Sequence, residues 1–314
     1  VENLPFIDSR TVREKLSFPV LIPIVREAMI ALSTGKVDQL LRSFIPVKEG
    51  HIFALMPAAN HAAGHFGVKV LSVFPDPSGA LQHEGYILLF SEASGRPLCM
   101  AEAEDITRLR TAAASAVATD ALARADAAVL AVLGTGKQAA AHIAAIAEVR
   151  RLERVRVWGR NKDKAMDLAK AETDALGLAC EVCDSVEAAV AEADIICTVT
   201  AARDPVLHGA WVKPGAHVNA VGSSTPVPAE IDSELVARSR FIADHRAHVL
   251  LHGGEFLRAK KAGVVDDDHV AAEIGEVLAG VKPGRTAADQ ITVYKSLGHA
   301  VQDLAALAWL YQNR

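Results

Sequence analysis

Val129-Leu-Ala-Val-Leu-Gly-Thr-Gly-Lys-Gln-Ala139 is the stretch that decides the fold. An apolar run of strand length passes directly into Gly134-Thr-Gly136-Lys-Gln-Ala139, and Gln138–Val149 reads as a helix. In a strand–turn–helix unit of this kind each small residue has a task. Gly134 permits the tight turn, Gly136 lets the backbone approach a pyrophosphate, and Ala139 lets the helix sit close to the sheet. The first turn of the helix then offers free N–H groups and a positive dipole end to phosphates. Gly134, Thr135, Gly136, Lys137 and Gln138 are therefore the expected cradle of a dinucleotide.

Downstream, strand and helix alternate. Arg154–Trp158, Ile195–Val199, His217–Val221 and Arg240–Ala243 read as strands, and Asp163–Ala175 and Ser185–Ala193 as helices. Alternation predicts parallel strands joined by crossover helices, so residues 123–291 are expected to form a doubly wound Rossmann domain. Thr198, Thr200, Val221 and Ser223, at the ends of two of these strands, are expected along the cofactor. The second strand predicts which cofactor. A dinucleotide without a 2′-phosphate is usually gripped by Asp or Glu at the end of that strand. Here the strand ends in Gly159-Arg160-Asn161-Lys162. Arg160, helped by Asn161, suits a 2′-phosphate, which predicts NADP(H).

Upstream, Ile22–Ser33 reads as a helix, and His51–Pro57, Gly67–Phe74 and Tyr86–Phe90 as strands, with turn chemistry over Phe74–Gly79. Residues 1–122 are expected to form an antiparallel sheet with a helix on it. Ser296–Leu310 reads as a helix whose apolar face is too continuous for a free tail, so residues 292–314 are assigned to this first region. Thr107–Arg124 would bridge the two domains. The expected class is α/β: a Rossmann doubly wound parallel sheet plus an α+β substrate-binding and dimerisation domain.

The bulk numbers fit such an enzyme. In 314 residues, 51% are hydrophobic, 23% charged and 5% aromatic, and the net charge is −5. Such a balance predicts a globular chain with no nucleic-acid or membrane partner. No apolar stretch in Val1–Arg10 reads as a leader, and four cysteines in so long a chain do not make a disulfide framework, so a cytoplasmic protein is expected.

Chemistry outside the nucleotide domain points to three cations in otherwise apolar surroundings: Arg42, Lys69 within Gly67-Val-Lys-Val-Leu71, and Arg110 within Ile106-Thr-Arg-Leu-Arg-Thr111. A substrate carboxylate needs such groups, although each alone could be a snorkelling surface residue. Other clusters carry less. Cys180-Glu-Val-Cys183 has no second pair, His245, His248 and His252 read as a surface helical face, Asp266–His269 as a loop before a capped helix, and Cys99 and Cys197 as core thiols. No metal is expected.

Several segments together resemble the ornithine cyclodeaminase/mu-crystallin family: Gly67–Leu71, Ile106–Ser115, Gly134–Ala139, Ala193–Thr198, Trp211–Gly222 and Ile291–Ser296. The resemblance implies a homodimer built through the non-nucleotide domain, with the active site in the cleft between domains. It implies that Arg42, Lys69 and Arg110 bind the substrate carboxylate, with Arg110 also near the cofactor, and that His83 and Ser296 reach the cofactor. Two departures stand out. Ser224 stands where cyclodeaminases carry an Asp that handles the substrate amine, and Phe53 where they carry a Glu. Without that Asp, an ornithine ammonium lacks its base. The Ser-x-Pro arrangement at 224–226 resembles mu-crystallin instead.

The expected function is NADPH-dependent reduction of a small cyclic ketimine, Δ1-pyrroline-2-carboxylate or Δ1-piperideine-2-carboxylate, to proline or pipecolate. Ornithine or lysine cyclodeamination, an alanine-type amino-acid dehydrogenase and a non-enzymatic crystallin-like binder are the alternatives. Thr225 is expected near the substrate. The imine must be protonated to accept hydride well, and Lys69, or Ser224 or Thr225 relaying water, is the candidate donor. Three nearby cations would oppose an iminium, so something must offset them.

Overall fold

The computed structural model describes residues 4–75 and 81–314 and divides them into two compact units, Val1–Arg110 with His299–Arg314, and Thr111–Gly298. In the first unit, β1 (Phe6–Ile7), α1 (Ser9–Lys15) and α2 (Phe18–Ser33) precede β2 (Val37–Gln39), β3 (Ser43–Lys48), β4 (His51–Asn60), β5 (His65–Pro75), β6 (Leu81–Ser91) and β7 (Pro97–Glu102). The sheet order is β1-β7-β6-β5-β4-β2, with β3 on β4, and all its pairs are antiparallel except β1 with β7. Alternation along β4 buries Ala54, Met56, Ala58 and Asn60 on one face. On β5 the same face carries His65, Gly67 and Lys69, for Lys69 pairs with Met56.

Two helices cover that face. In α2, Leu21, Val25, Ala28, Met29 and Leu32 are buried at helical spacing. The C-terminal helix, Ala300–Gln312, is buried almost all round. Gly67 makes its close approach possible: a Cβ there would lie 2.7 Å from Leu304 Cδ2 and 2.1 Å from the Leu88 carbonyl oxygen. The opposite sheet face, which carries Phe53 and its partner Ile45, is less covered, and all of β3 is exposed, Phe44 and Val47 included.

The second unit receives the chain partway along α3 (Ala103–Leu122). It continues through β8 (Val129–Leu133), α4 (Lys137–Ala147), β9 (Arg154–Trp158), α5 (Lys162–Leu176), β10 (Cys180–Val182), α6 (Val186–Val190) and β11 (Ile195–Thr198). Then follow β12 (His217–Ala220), α7 (Ser233–Arg238), β13 (Arg240–Ala243), α8 (Arg246–His252), α9 (Gly254–Lys261), β14 (Val270–Glu273), α10 (Ile274–Leu278) and β15 (Thr292–Lys295). The eight strands are all parallel, in the order β10-β9-β8-β11-β12-β15-β13-β14. From β8 the chain steps outward to β9 and β10, then returns to the other side of β8. That reversal is the switch point of a Rossmann fold, where ligands bind beyond the carboxyl ends of the strands.

Three sequence expectations change here. Thr292–Lys295 is a fully buried strand between β12 and β13, not part of a helix in the first region, and the final helix starts only at Ala300. A β-branched and aromatic run favours the strand, and Gly298 at φ +82° with the His299 capping box fixes the later start. The compact units accordingly meet at 110/111 and 298/299 rather than 122/123 and 291/292. The last turns of α3 belong with the Rossmann unit, through Ser115 Oγ to His142 Nε2 at 2.9 Å and Asn219 Nδ2 donating to Thr119 Oγ1 at 2.9 Å. Asp266–His269 leads through a short 3-10 turn into β14, not into a helix.

Candidate active site

Within the first unit, one buried carboxylate organises two of the three expected cations. Asp303 Oδ1 accepts from Lys69 Nζ at 3.1 Å and from Arg110 Nε at 3.1 Å. Lys69 Nζ also donates to Thr107 Oγ1 at 2.5 Å, and Arg110 Nη1 donates to Gln302 Oε1 at 2.8 Å. β5 supplies the lysine, α3 the arginine and threonine, and the C-terminal helix the aspartate and glutamine. Arg42, immediately before β3, is close enough for its charge to act on Lys69. Burial is the largest influence on Lys69 and, with Arg110 and Arg42, brings its ammonium down to about 8, while Asp303 pulls the other way. Burial alone would raise the Asp303 carboxyl, but the Arg110 and Lys69 charges outweigh it and hold it below the usual carboxylate range.

The second unit gathers the expected cofactor residues along one sheet edge. Gly134–Gln138 follow β8, Thr198 ends β11 and Thr200 follows it, Val221 and Ser223 follow β12, and Ser296 follows β15. Gly134 has φ +131°, and a Cβ on it would lie 2.7 Å from the Val199 carbonyl oxygen, so only glycine fits. Gly136 caps α4 without a side-chain bond, and a Cβ there would meet nothing within 4 Å. Space therefore opens in front of the first turn of the helix, as a pyrophosphate requires. Gln138 Oε1 and Ser296 Oγ are buried with no hydrogen-bond partner among the described residues. These orphaned atoms and the open cradle fit a dinucleotide.

Beyond β9, Arg160 is exposed on the turn. Asn161 is already engaged, because its Oδ1 accepts from Lys164 N at 2.9 Å as the N-cap of α5. Lys162 pairs with Asp184 at 2.7 Å. Ser224 and Thr225 lie half-buried in the loop after β12. His83 is on β6, and its side chain lies outside the described residues, as does most of the expected turn Phe74–Gly79. Phe53 is on β4, where alternation turns it away from the face that Met56 and Lys69 share. His248 is buried, which corrects the reading of a wholly exposed histidine face. Cys99 and Cys197 are buried thiols, and all four cysteines are unpaired.

Beneath the cofactor edge lies a network the sequence reading missed. Glu230, fully buried, accepts from Thr198 Oγ1 at 2.7 Å, Thr200 N at 2.6 Å, Thr200 Oγ1 at 2.7 Å and Gly222 N at 2.5 Å. One carboxylate thus staples the loop after β11 to the loop after β12. Burial raises its carboxyl above the ordinary range despite these bonds. Glu255 accepts from Ser223 Oγ at 2.6 Å and from Glu230 N at 3.1 Å, and it pairs with the buried Lys295 at 2.9 Å. Thr198, Thr200 and Ser223 therefore spend their hydroxyls inside the protein.

A model of the ornithine cyclodeaminase/mu-crystallin family matches residues 6–314. The chain belongs to that family. A mouse relative described as ketimine reductase mu-crystallin is 36% identical over 98% of this chain and 96% of its own length. The solved Δ1-pyrroline-2-carboxylate reductase of Thermococcus litoralis, in complex with NADH and L-proline, is 33% identical. It covers 98% of this chain and 97% of that one, with a TM-score of 0.94. An archaeal alanine dehydrogenase dimer with bound NAD is 29% identical, covering 99% and 95%, with a TM-score of 0.92. Within the family, the Rossmann unit and the parallel sheet are thus shared across several activities.

Proposed function

We propose that the protein is an oxidoreductase acting on a C=N bond, which reduces a small cyclic ketimine carboxylate with NADPH. The observation that carries this reading is the gathering of Lys69 and Arg110 on one buried aspartate in the first unit, with Arg42 close enough for its charge to act on Lys69. Such a cluster suits a single small carboxylate, and the similar Thermococcus reductase was solved with L-proline, the reduced counterpart of a cyclic ketimine.

When bound, the reduced dinucleotide supplies a hydride. The chain does the rest. Arg110, anchored on Asp303 and Gln302, and Arg42 hold the substrate carboxylate. Lys69, whose ammonium titrates near 8, can bind the carboxylate when charged and release a proton at ordinary pH. Gly134–Gln138 and the α4 amides hold the pyrophosphate, and Arg160 takes the 2′-phosphate. The Thermococcus relative holds NADH, so the NADP(H) preference rests on Arg160 and on the lack of an acid at the end of β9. Ser224, where cyclodeaminases carry their aspartate, supports reduction over ammonia elimination from ornithine.

We further propose a homodimer formed through the less covered face of the first unit's sheet. The exposed Ile45 on that face, opposite Phe53, supports it, as does the dimeric alanine dehydrogenase. Four unpaired cysteines suit a reducing compartment, the cytoplasm. A panel assay of NADPH consumption with pyrroline-2-carboxylate, piperideine-2-carboxylate, and pyruvate with ammonia or methylamine tests the activity. Turnover confined to pyruvate with ammonia would make it an amino-acid dehydrogenase.

A further inference from the structure

The ketimine reading leaves an electrostatic difficulty. A protonated imine is the better hydride acceptor, yet Arg42, Lys69 and Arg110 would repel it. Asp303 lies wholly buried against two of these cations, and its single oxygen Oδ1 meets both. A fixed opposite charge a few ångströms away, shielded from water, acts far more strongly than one at the surface.

We propose that Asp303 is a positioning residue of this reaction: a buried counter-charge that holds the Lys69 ammonium and Arg110 guanidinium in one pose and offsets one of the three cations facing the substrate. The proposal rests on the ketimine reading. The Lys69 ammonium gives its proton to the imine nitrogen, and the iminium carbon so formed takes a hydride that a reduced nicotinamide would supply, the C=N electron pair moving to nitrogen. Lys69, left neutral, is recharged from solvent. Asp303 sets how readily that proton leaves. The groups facing Lys69 are Thr107 and Arg110 on α3, Asp303 on the C-terminal helix and Arg42 before β3; its strand neighbours Met56 and Ile87 are apolar. Asp303 raises the Lys69 midpoint and Arg110 lowers it. Removing each charge must therefore move that midpoint in opposite directions, which loss of packing would not do.

The test is the affinity of the full chain for pyrrole-2-carboxylate, a planar carboxylate analogue, measured by calorimetry from pH 6 to 10 without cofactor. Wild type should bind well at low pH and weaken as Lys69 discharges. Asp303→Asn should move that midpoint down by about one pH unit or more and bind more tightly below it. Asp303→Glu should restore the wild-type midpoint. Arg110→Gln should move the midpoint up while binding the analogue more weakly, because Arg110 also holds its carboxylate. The pH profile of kcat should shift with the binding midpoint. An unmoved midpoint in folded Asp303→Asn, or in Asp303→Ser should the Asn variant not fold, overturns the role of Asp303. Failure of wild type to bind the analogue at any pH overturns the carboxylate reading beneath it.

Discussion

Asp303 Oδ1 and the Lys69 ammonium lie 3.1 Å apart, both buried, at positions 234 residues apart in the chain. The contact exists because Gly67, two residues before Lys69 on the same strand face, leaves room for the C-terminal helix. Gly67→Ala would drive a Cβ into the Leu88 carbonyl and Leu304. Overpacking of this kind costs about 1–3 kcal/mol or more. Denaturant unfolding should show that loss, and the KM for the ketimine should rise as the Lys69–Asp303 pair is displaced. An unchanged midpoint and KM would mean that the helix position does not depend on this glycine.

Arg110→Met should raise the substrate KM roughly ten- to hundredfold. A hydrogen bond to a charged group contributes about 1.5–3 kcal/mol, and the same change leaves the buried Asp303 with one cation fewer. Steady-state kinetics at saturating NADPH measures it. Unchanged KM and kcat would remove Arg110 from the carboxylate site.

Arg160→Ser should weaken NADPH roughly ten- to hundredfold and leave NADH almost unaffected, since only NADPH carries the 2′-phosphate. Cofactor fluorescence titration reads both. Equal weakening of the two cofactors would place Arg160 elsewhere on the nucleotide, and a wild-type preference for NADH would overturn the NADPH assignment.

Glu230→Gln keeps the shape of the staple but replaces an acceptor of four hydrogen bonds with an amide that must donate on one side. We expect a loss of about 1–3 kcal/mol in stability and a raised KM for the cofactor, with the KM for the ketimine less affected. A variant of wild-type stability and cofactor KM would show that the two loops hold their places without Glu230.

Acid should destabilise the fold in a defined window. Burial holds the His142 ring down to about 4 and the His217 ring down to about 3, so both are neutral in the folded chain at neutral pH. In the unfolded chain they titrate near 6.5. Between those values the unfolded chain binds more protons, so stability falls as pH falls from about 6.5 toward 4. His142 alone accounts for about 3 kcal/mol by pH 4. Melting temperatures of wild type and His142→Gln across this range should converge as pH falls, and parallel curves would contradict the assignment.

Local signals carried the Rossmann unit into the sequence reading. Gly134–Ala139, the alternating strands and the bare turn at Arg160 are each legible within a dozen residues. Arg42, Lys69 and Arg110 were visible as cations among apolar neighbours, which is a local contrast too. Asp303 was not, because the C-terminal helix is buried almost all round and its aspartate reads as one polar residue in an apolar run. Its partners lie on distant strands and helices. Glu230, Glu255 and Lys295 were missed for the same reason: each is an ordinary charged residue locally, and only the tertiary fold brings a loop, α9 and β15 together. β15 was lost because Thr292–Lys295 is short and is followed by a helical pattern that absorbed it.

The most direct test of the account is a stoichiometry. Purified protein, Δ1-pyrroline-2-carboxylate or Δ1-piperideine-2-carboxylate, and NADPH are incubated, and the oxidised cofactor and amino acid formed are quantified, with ornithine tested in parallel for ammonia release. The account predicts one proline or pipecolate per NADPH oxidised and no ammonia from ornithine. Proline with ammonia from ornithine at catalytic cofactor, and no reduction of either ketimine, would contradict it.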